Sequence, residues 1–267
     1  MPEETSLFGL TGKKALIIGG GQGMGEASAG FLARAGCDVA LVDLVPERAE
    51  HVAGIVNGLG VKGITVIGDV LDDAQIPCIV AEAEEKLGGM DRMISIVGAA
   101  TFRSLLDTTA EVWDQQMHLN LRYFFLIAKE VAGVMIRRGT GGRIVGIASV
   151  DGQRAAPMRG AYGAAKAGLI STVRTMASEW APHNISVNAI APGHIVTPRL
   201  FDTPQRAERY TNSLLPARRR GTTADIGKAA LFLLSDLASY VNGITLDVDG
   251  GLLVANLFPG DLPGRNA

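Results

Sequence analysis

The sequence predicts a doubly wound α/β fold, in which helices cover both faces of a parallel β-sheet. Short apolar runs rich in β-branched residues alternate with longer segments of helical periodicity along the whole chain. The runs contain almost no polar residues, which is typical of strands buried on both faces. Regular alternation of strands and helices indicates parallel strands joined by crossover helices. With 267 residues, 47% of them hydrophobic and 19% charged, the chain is predicted to form a single domain over 1–267.

Seven apolar runs are predicted to be strands because they are short and contain mainly Val, Ile, Leu and Ala. In chain order they are "KALIIG", "DVALVD", "GITVIGDV", "DRMISIVG", "GRIVGIAS", "ISVNAIAPG" and "GITLDVDGG". The segments between them carry apolar residues at helical spacing and predict helices over 24–36, 46–59, 72–88, 111–138, 160–182 and 222–239.

Two segments fall outside this alternation. Residues 198–221 contain Pro198, Pro204 and Pro216 and fit neither a simple strand nor a simple helix. We expect this segment to be an insertion that covers the substrate at the carboxyl end of the sheet, where such folds bind ligands. The tail over 252–267 is apolar and then rich in Pro and Gly, and it could cross to a neighbouring subunit.

Composition argues against several classes of protein. The net charge of −2, with acids and bases interspersed, predicts neither a nucleic-acid nor a membrane partner. Arg218–Arg220 is expected to be a solvated turn. Two cysteines are too few for a disulfide framework, and the acidic start "MPEETSLFGL" lacks the basic region of a signal peptide, so a cytoplasmic location is expected. The four histidines lack metal-ligand spacing, so no metal site is predicted; His194 is expected to face solvent.

The stretch "ALIIGGGQGMGEA" lies where the first strand meets the first helix. Its glycines follow the spacing Gly19-x-x-x-Gly23-x-Gly25. Bare backbone at this junction lets amide groups approach a pyrophosphate, which then lies at the positive end of the helix. Asp43 ends the second strand, where a carboxylate can accept hydrogen bonds from both ribose hydroxyls, and Asp69 follows the third strand near an expected adenine edge. The pattern predicts a Rossmann-like dinucleotide site.

Asp43 also favours NAD over NADP as the cofactor. Its carboxylate would repel a 2′-phosphate, and the next residues, Leu44 and Val45, offer no compensating positive charge.

Ser149, Tyr162 and Lys166 form a candidate catalytic set. Ser149 ends the fifth predicted strand, and Tyr162 and Lys166 are four residues apart on one face of the following helix. A phenol has a pKa of about 10 and is a poor base at neutral pH, but a nearby ammonium group and an oxidised nicotinamide favour its phenolate. Ser149 could hold the substrate oxygen against Tyr162.

Together these motifs give the chain a resemblance to the short-chain dehydrogenases/reductases of the main branch, about 250 residues long, over residues 9–251. The matching positions are Gly19, Gly23 and Gly25 of the glycine motif, Asn120 in "WDQQMHLNL", Ser149, Tyr162 and Lys166, the "PG" of "NAIAPGHIVTP", and Asp249, Gly250 and Gly251.

The resemblance implies a seven-stranded sheet of order 3-2-1-4-5-6-7 and a homotetramer. It implies that Tyr162 is the acid/base, that Lys166 contacts the nicotinamide ribose, that Ser149 positions the substrate, and that Asn120 anchors a water that relays protons through Lys166. The expected cofactor-binding residues are Gly19, Gln22, Gly23, Met24, Gly25, Asp43, Asp69, Val70, Tyr162, Lys166, Ile195 and Thr197.

Two positions depart from the family pattern. Ile18 replaces the usual Thr before the first motif glycine, and Ser95-Ile96-Val97-Gly98 replaces "NNAG" after the fourth strand. Those Asn side chains normally brace the sheet and the loop near the adenosine, so the local geometry here should differ.

The predicted activity is NAD-dependent interconversion of a secondary alcohol and a ketone. The expected pocket is mainly apolar, which favours a hydrophobic alicyclic substrate such as a terpenol or a steroid; the residues are Val150, Ala155, Ala156, Pro157, Met158, Leu200, Phe201, Leu214 and Leu215, with Arg154, Arg159 and Arg199 as the charges. Two alternatives stay open. One is a 3-oxoacyl thioester reductase, whose acidic carrier protein could meet Arg154 or the run Arg218–Arg220. The other is an NAD-binding sensor without catalysis.

Overall fold

Seven parallel strands form one sheet in the order β3-β2-β1-β4-β5-β6-β7, which confirms the predicted fold. The computed structural model describes residues 7–200, 203–211 and 215–255. Of the expected pocket residues, Phe201 and Leu214 lie outside the described residues, as does the tail from 256 onward. The strands are β1 (Lys14–Ile18), β2 (Asp38–Asp43), β3 (Gly63–Ile67), β4 (Arg92–Ser95), β5 (Gly142–Ile147), β6 (Ile185–Pro192) and β7 (Thr245–Val248).

The α-helices of the described residues follow the strands and run back across the sheet. They are α1 (Met24–Arg34), α2 (Pro46–Gly58), α3 (Ile76–Leu87), α4 (Ala110–Met117), α5 (Tyr123–Arg138), α6 (Gly160–Trp180), α7 (Pro204–Thr211) and α8 (Thr223–Leu234). None of the helices in this part of the chain is long and apolar enough to cross a bilayer.

Each face of the sheet carries its own hydrophobic core, because successive strand residues point to opposite sides. From β1, Leu16 and Ile18 pack with α3, α5 and α6, whereas Ala15 and Ile17 pack with α1, α2 and α8. The inner strands are buried on both faces as predicted. The edge strands β3 and β7 are only partly buried, because each has a neighbouring strand on one side only.

The predicted helix over 111–138 is wrong as a single element. A π-helical turn, His118–Arg122, separates α4 from α5 and contains Asn120. Such turns interrupt the regular hydrogen-bond ladder and often occur at functional sites. Neither residue periodicity nor a proline marks this interruption in the sequence.

Other boundaries also differ from the predictions. Residues 69–75 form turns in which the Asp72 side chain accepts a hydrogen bond from the Ala74 amide, so α3 begins only at Ile76. Helix α8 ends at Leu234, and a short 3₁₀ turn, Asp236–Ala238, follows it. The segment 198–221, for which neither helix nor strand was expected, contains α7.

Close packing of α1 against α8 predicts opposite effects for two glycine substitutions. A Cβ at Gly227 of α8 would lie 2.7 Å from Cδ2 of Phe31 and 3.1 Å from the Ala27 carbonyl oxygen. Gly227→Ala should therefore lower the free energy of unfolding by about 1–3 kcal/mol. Gly54 is exposed on α2 with open space around it, so Gly54→Ala should raise the free energy of unfolding by up to about 1 kcal/mol. Urea denaturation checks both; equal stability of the two variants would contradict the packing argument.

Candidate active site

The glycine-rich turn links β1 to α1 through backbone that only glycine tolerates. Gly19 and Gly23 have positive φ angles of 79° and 63°. A Cβ at Gly25 would lie 2.1 Å from the Gly19 carbonyl oxygen, so the start of α1 lies directly on the turn. Gly23 is the N-cap of α1 and provides no side-chain cap. Amide groups of the first helical turn are thus accessible to an anion.

Asp43 lies against the same turn. One carboxylate oxygen accepts a hydrogen bond from the Gly21 amide at 3.0 Å, and the other accepts one from the Val45 amide at 3.0 Å. A Cβ at Gly21 would come within 2.6 Å of the first oxygen. The end of β2 and the turn after β1 therefore hold each other in place.

The remaining predicted residues on this side of the sheet follow β1 and β3. Asp69 accepts a hydrogen bond from the Leu71 amide at 2.8 Å, and Val70 beside it is buried. The Gly68 amide donates to the Asp43 carbonyl oxygen, which joins the two strand ends. In the glycine turn, the Gln22 carbonyl oxygen accepts from the Gly25 amide, and Met24 packs against the core.

Ser149, Tyr162 and Lys166 meet at the carboxyl end of β5. Lys166 is 2% exposed, and its Nζ donates to the Ile147 carbonyl oxygen at 2.8 Å. That Nζ lies 5.8 Å from the centre of the Tyr162 ring. Ser149 lies two residues after the end of β5, close enough to the Tyr162 hydroxyl to lower its pKa. The predicted set is therefore brought together.

The protein's own groups shift the pKa values of this set in the direction opposite to the one needed for a phenolate. Burial raises the pKa of Tyr162, an effect that the nearby Ser149 side chain and the charge of Arg159 partly offset. Burial also lowers the pKa of Lys166 to about 7. Because α6 buries both groups, the phenolate depends on the second charge expected from the sequence, that of an oxidised nicotinamide.

Asn120 is fully buried in the π-helical turn and ties that turn to the loop after β4. Its Oδ1 accepts from the Ala99 amide at 3.1 Å, and its Nδ2 donates to the Ala99 carbonyl oxygen at 3.0 Å. Gly98 lies between the side chains of Asn120 and Lys166. A Cβ at Gly98 would be 2.8 Å from Asn120 Oδ1 and 3.2 Å from Lys166 Nζ. Asn120 and Lys166 thus border one small space, which requires glycine at position 98.

The segment after β6 closes over the glycine turn. Pro198 Cδ would lie 3.4 Å from a Cβ at Gly23. Thr197 Oγ1 accepts a hydrogen bond from the Leu200 amide at 3.1 Å. The carbonyl oxygen of Ile195 accepts one from Arg220 at 2.9 Å. Thr197 directly precedes the proline that meets the glycine turn, and Arg220 anchors Ile195 earlier in the same segment.

Arg220 departs from the solvated turn expected for Arg218–Arg220, whereas Arg218 and Arg219 are exposed as expected. Arg220 is buried, and its guanidinium donates to the carbonyl oxygens of Ile195 and Leu200. Arg219 pairs with Asp225 at 3.0 Å. These contacts fix the entry to α8 and hold the loop above the sheet.

The segment Ser95-Ile96-Val97-Gly98, which replaces the asparagines of the family pattern, is held by hydrogen bonds to Tyr123. Ser95 donates to the Tyr123 hydroxyl at 3.0 Å, and that hydroxyl donates to the Val97 carbonyl oxygen at 2.5 Å. Val97 in turn contacts the glycine turn, since a Cβ at Gly19 would lie 3.0 Å from its Cγ2. The buried tyrosine at the start of α5 thus braces this loop, which nothing in the sequence pattern indicates.

Comparison with known proteins agrees with this geometry. The family model described as "Enoyl-(Acyl carrier protein) reductase" matches residues 19–253. A short-chain dehydrogenase/reductase of Armillaria gallica is 37% identical over 91% of this chain and 96% of its own length. The chain belongs to the short-chain dehydrogenase/reductase family.

Two further relatives are named for different substrates. The 2-dehydro-3-deoxy-D-gluconate 5-dehydrogenase of Escherichia coli is 34% identical over 93% of this chain and 98% of its own. The crystal structure of carveol dehydrogenase from Mycobacterium avium in complex with NAD superposes with a TM-score of 0.85 at 30% identity, over 92% of this chain and 99% of the other. As a member of this family, the protein is an oxidoreductase of alcohols and ketones that uses a nicotinamide cofactor.

The residues of this short-chain dehydrogenase/reductase fit such a cofactor. The turn from Gly19 to Gly25 leaves space that side chains would fill, and the helix end behind it suits a pyrophosphate. Asp43 could bind a ribose, and Tyr162 with Lys166 lies across the sheet at the end of β5.

Two residues of the site, Asp151 and Gln116, escaped sequence reasoning. Asp151 has a side chain only 2% exposed and lies between Arg154 and Arg159. Gln116 is buried and binds both the Thr101 amide and its hydroxyl. A polar residue directly after the apolar end of β5 is the one signal that could have identified Asp151.

His194 is half-buried rather than facing solvent. Burial lowers its pKa, and the nearby charges of Arg154, Arg159 and Arg220 lower it further, whereas Asp151 raises it. The loop after β6 therefore faces the charged groups that follow β5.

The buried Lys166 predicts a pH-dependent contribution to stability. Its pKa is about 7 in the folded protein and about 10.4 in an unfolded chain. Between these values the unfolded state binds more protons, so the destabilisation by Lys166 is full below pH 7 and disappears as the pH rises towards 10. The stability of the wild type relative to Lys166→Met should therefore increase from pH 6.5 to pH 9.5.

Urea midpoints at several pH values measure this difference. Exposed Lys228 on α8 provides the control for loss of a surface lysine, as Lys228→Met. A Lys166→Met difference that stays constant with pH, or that follows the Lys228→Met control, would contradict a buried amine of low pKa.

Proposed function

We propose that the protein is an NAD-dependent dehydrogenase of secondary alcohols that also reduces the corresponding ketones, with Tyr162 as the acid/base. The observation that carries the proposal is the grouping of Ser149 and Tyr162 with the buried amine of Lys166 at the carboxyl end of β5, where the amine lies 5.8 Å from the centre of the Tyr162 ring. In this fold the carboxyl ends of the strands are where ligands bind.

In the oxidative direction, the Tyr162 oxygen takes the proton of the substrate hydroxyl, while Ser149 donates to the same substrate oxygen. A bound oxidised nicotinamide would supply the hydride acceptor and a positive charge beside Tyr162. That charge counteracts the burial that raises the pKa of Tyr162. In the reductive direction, Tyr162 returns the proton to the carbonyl oxygen.

Lys166 and Asn120 serve proton transfer behind Tyr162. With a pKa of about 7, the Lys166 amine can gain or lose a proton near neutral pH. Its hydrogen bond to the Ile147 carbonyl holds it in place in either state. The Asn120 side chain is engaged with Ala99, so it positions the loop after β4 beside this amine.

The substrate body is proposed to be apolar and alicyclic. Large apolar side chains are exposed on the loops after β4, β5 and β6, where they would face a ligand above the sheet; they are Phe102, Leu105, Leu106, Met158 and Leu200. The loops after β4 and β5 are joined, since the Arg103 amide donates to the Met158 carbonyl oxygen at 2.7 Å. A terpenol-like or steroid-like ring would cover this surface.

Replacement of Tyr162 by Phe removes the acid/base while keeping the ring. Turnover should fall by about 10²- to 10⁴-fold, whereas NADH should still bind. Alcohol oxidation by the wild type should also rise with pH as Tyr162 loses its proton. The assay is NADH formation from cyclic terpenols, hydroxysteroids, simple carbinols and 3-hydroxyacyl thioesters.

The matched control is Tyr240→Phe, because Tyr240 is fully exposed. Unchanged turnover in Tyr162→Phe would refute the assigned role. Absence of turnover in the wild type, with NADH binding intact, would instead favour the non-catalytic sensor.

Asp43 supports NAD as the cofactor. Its carboxylate is held at the glycine turn by two backbone amides, where it would repel a 2′-phosphate, and the adjacent Leu44 is exposed and uncharged. Arg48 at the start of α2 packs against the same turn, since a Cβ at Gly21 would lie 2.7 Å from its Cβ.

Asp43→Asn should therefore shift the ratio of kcat/KM for NAD over NADP towards NADP by at least about tenfold. In the Asp43→Asn variant, Arg48 is the cation that would meet the 2′-phosphate. Adding Arg48→Gln to that variant should therefore reverse part of the gain in NADP use. A wild-type enzyme that uses NADP as well as NAD would overturn the assignment.

A second candidate function is reduction of a 3-oxoacyl thioester. The matching family model is described by an acyl-carrier-protein substrate, which favours it. The run Arg218–Arg220 does not, because Arg220 is buried and Arg219 is paired. The homotetramer and the cytoplasmic location stay predictions.

A further inference from the structure

Asp151, Arg154 and Arg159 form a charged cluster at the edge of the candidate active site. The Asp151 carboxylate is buried; one oxygen lies 2.6 Å from Nη1 of Arg159 and the other 3.4 Å from Nη2 of Arg154. All three residues belong to the loop that joins β5 to α6, which also carries Ser149.

The cluster lies near both Tyr162 and the loop after β6. Asp151 and Arg159 both act electrostatically on the Tyr162 hydroxyl. Arg154 and Arg159 act on His194, in the loop after β6. The guanidinium of Arg159 also lies 5.6 Å from the centre of the Phe102 ring, in the loop after β4. The cluster therefore borders the space between the three loops that surround Tyr162.

Two guanidinium groups face one carboxylate, so the cluster keeps one positive charge. Arg159 alone satisfies Asp151 through a short contact, whereas Arg154 touches it loosely and keeps a third of its side chain exposed. A guanidinium has five donors, and most of those of Arg154 are free of Asp151. Arg154 also lines a cavity of about 220 Å³ against α6, which gives a ligand group access to it.

The positive charge of the cluster contributes to the lowered pKa of His194. Three arginines lower the pKa of this histidine and only Asp151 raises it, so the local potential favours an anion over a cation. Planar carboxylates are the groups that arginine binds best, through paired hydrogen bonds.

We propose that Arg154, in the loop that joins Ser149 to α6, binds a carboxylate of the substrate, so that the enzyme acts on hydroxy and oxo acids with an apolar carbon skeleton. The assignment rests on the proposed dehydrogenase function and deepens it. The exposed apolar side chains Phe102, Leu105 and Met158 contact the ring, and Arg154 binds the acid group.

A binding experiment tests the subsite without depending on turnover. Cyclohexanecarboxylate and cyclohexanecarboxamide, which have nearly the same shape, are titrated calorimetrically into the enzyme with bound NADH. The acid should bind about tenfold more tightly than the amide, and Arg154→Gln should abolish that preference. Arg154→Lys should restore part of it.

Arg103→Gln is the matched control. Arg103 lies on the adjacent loop, but its guanidinium is turned to the Asp107 carbonyl oxygen. Equal binding of acid and amide by the wild type would overturn the proposal. An equal loss in Arg103→Gln and Arg154→Gln would also overturn it, since it would indicate general attraction of anions.

Turnover then separates this inference from the proposed function. The expected result is a higher kcat/KM for 3-oxocyclohexanecarboxylate than for its methyl ester, lost in Arg154→Gln. If neutral cyclic ketones are reduced as fast as the acid, the carboxylate subsite fails while the dehydrogenase function stands. Preference for 3-oxobutyryl-CoA over free acids also overturns the subsite. If the acid binds as expected but no alcohol or ketone reacts, the proposed function fails.

Discussion

The hydrogen bond between the Lys166 amine and the Ile147 carbonyl is the interaction on which the arrangement of the site depends. It connects the buried face of α6 to the last residue of β5. Because Ser149 follows β5 and Tyr162 lies one turn before Lys166, this single contact brings both hydroxyls together. The parallel sheet makes the contact possible, since every strand ends at the same edge and a helix must return over it. The fold and the chemistry are therefore linked at one buried amine.

Burial at this edge of the sheet disfavours the charged forms of both Tyr162 and Lys166. A desolvated lysine with a pKa of about 7 and a tyrosine whose pKa is raised are both close to their neutral forms. Such a pair is poised for proton transfer once positive charge is added nearby, and in this family a nicotinamide cofactor adds it. On the substrate side, the Asp151 carboxylate is surrounded by arginines. The two halves of the site thus differ: the cofactor half is bare backbone with one carboxylate, and the substrate half combines apolar side chains with positive charge.

Where the sequence departs from the family pattern, different contacts hold the same loop of the site. Ser95 and Tyr123 hold the loop after β4, where the family uses asparagines. The glycine turn packs on Val97 of that same loop, so the brace extends from α5 to the cofactor side of the sheet. Tyr123 belongs to an apolar run and gave no sign of this role, because periodicity identifies the buried face of a helix but not the partner of a buried hydroxyl. The same limit hid the π-helical turn around Asn120.

The sequence by itself determined the sheet and its strands, the glycine turn with Asp43, and the spacing of Ser149, Tyr162 and Lys166, because these follow from local patterns and from motifs at fixed intervals. Only the tertiary structure decided the burial of Arg220, the brace at Tyr123, the cluster around Asp151 and the direction of the pKa shifts at Tyr162 and Lys166. These properties depend on how much water and which charges surround a side chain after distant loops have met. Residues far apart in the chain supply those surroundings, so no local pattern records them.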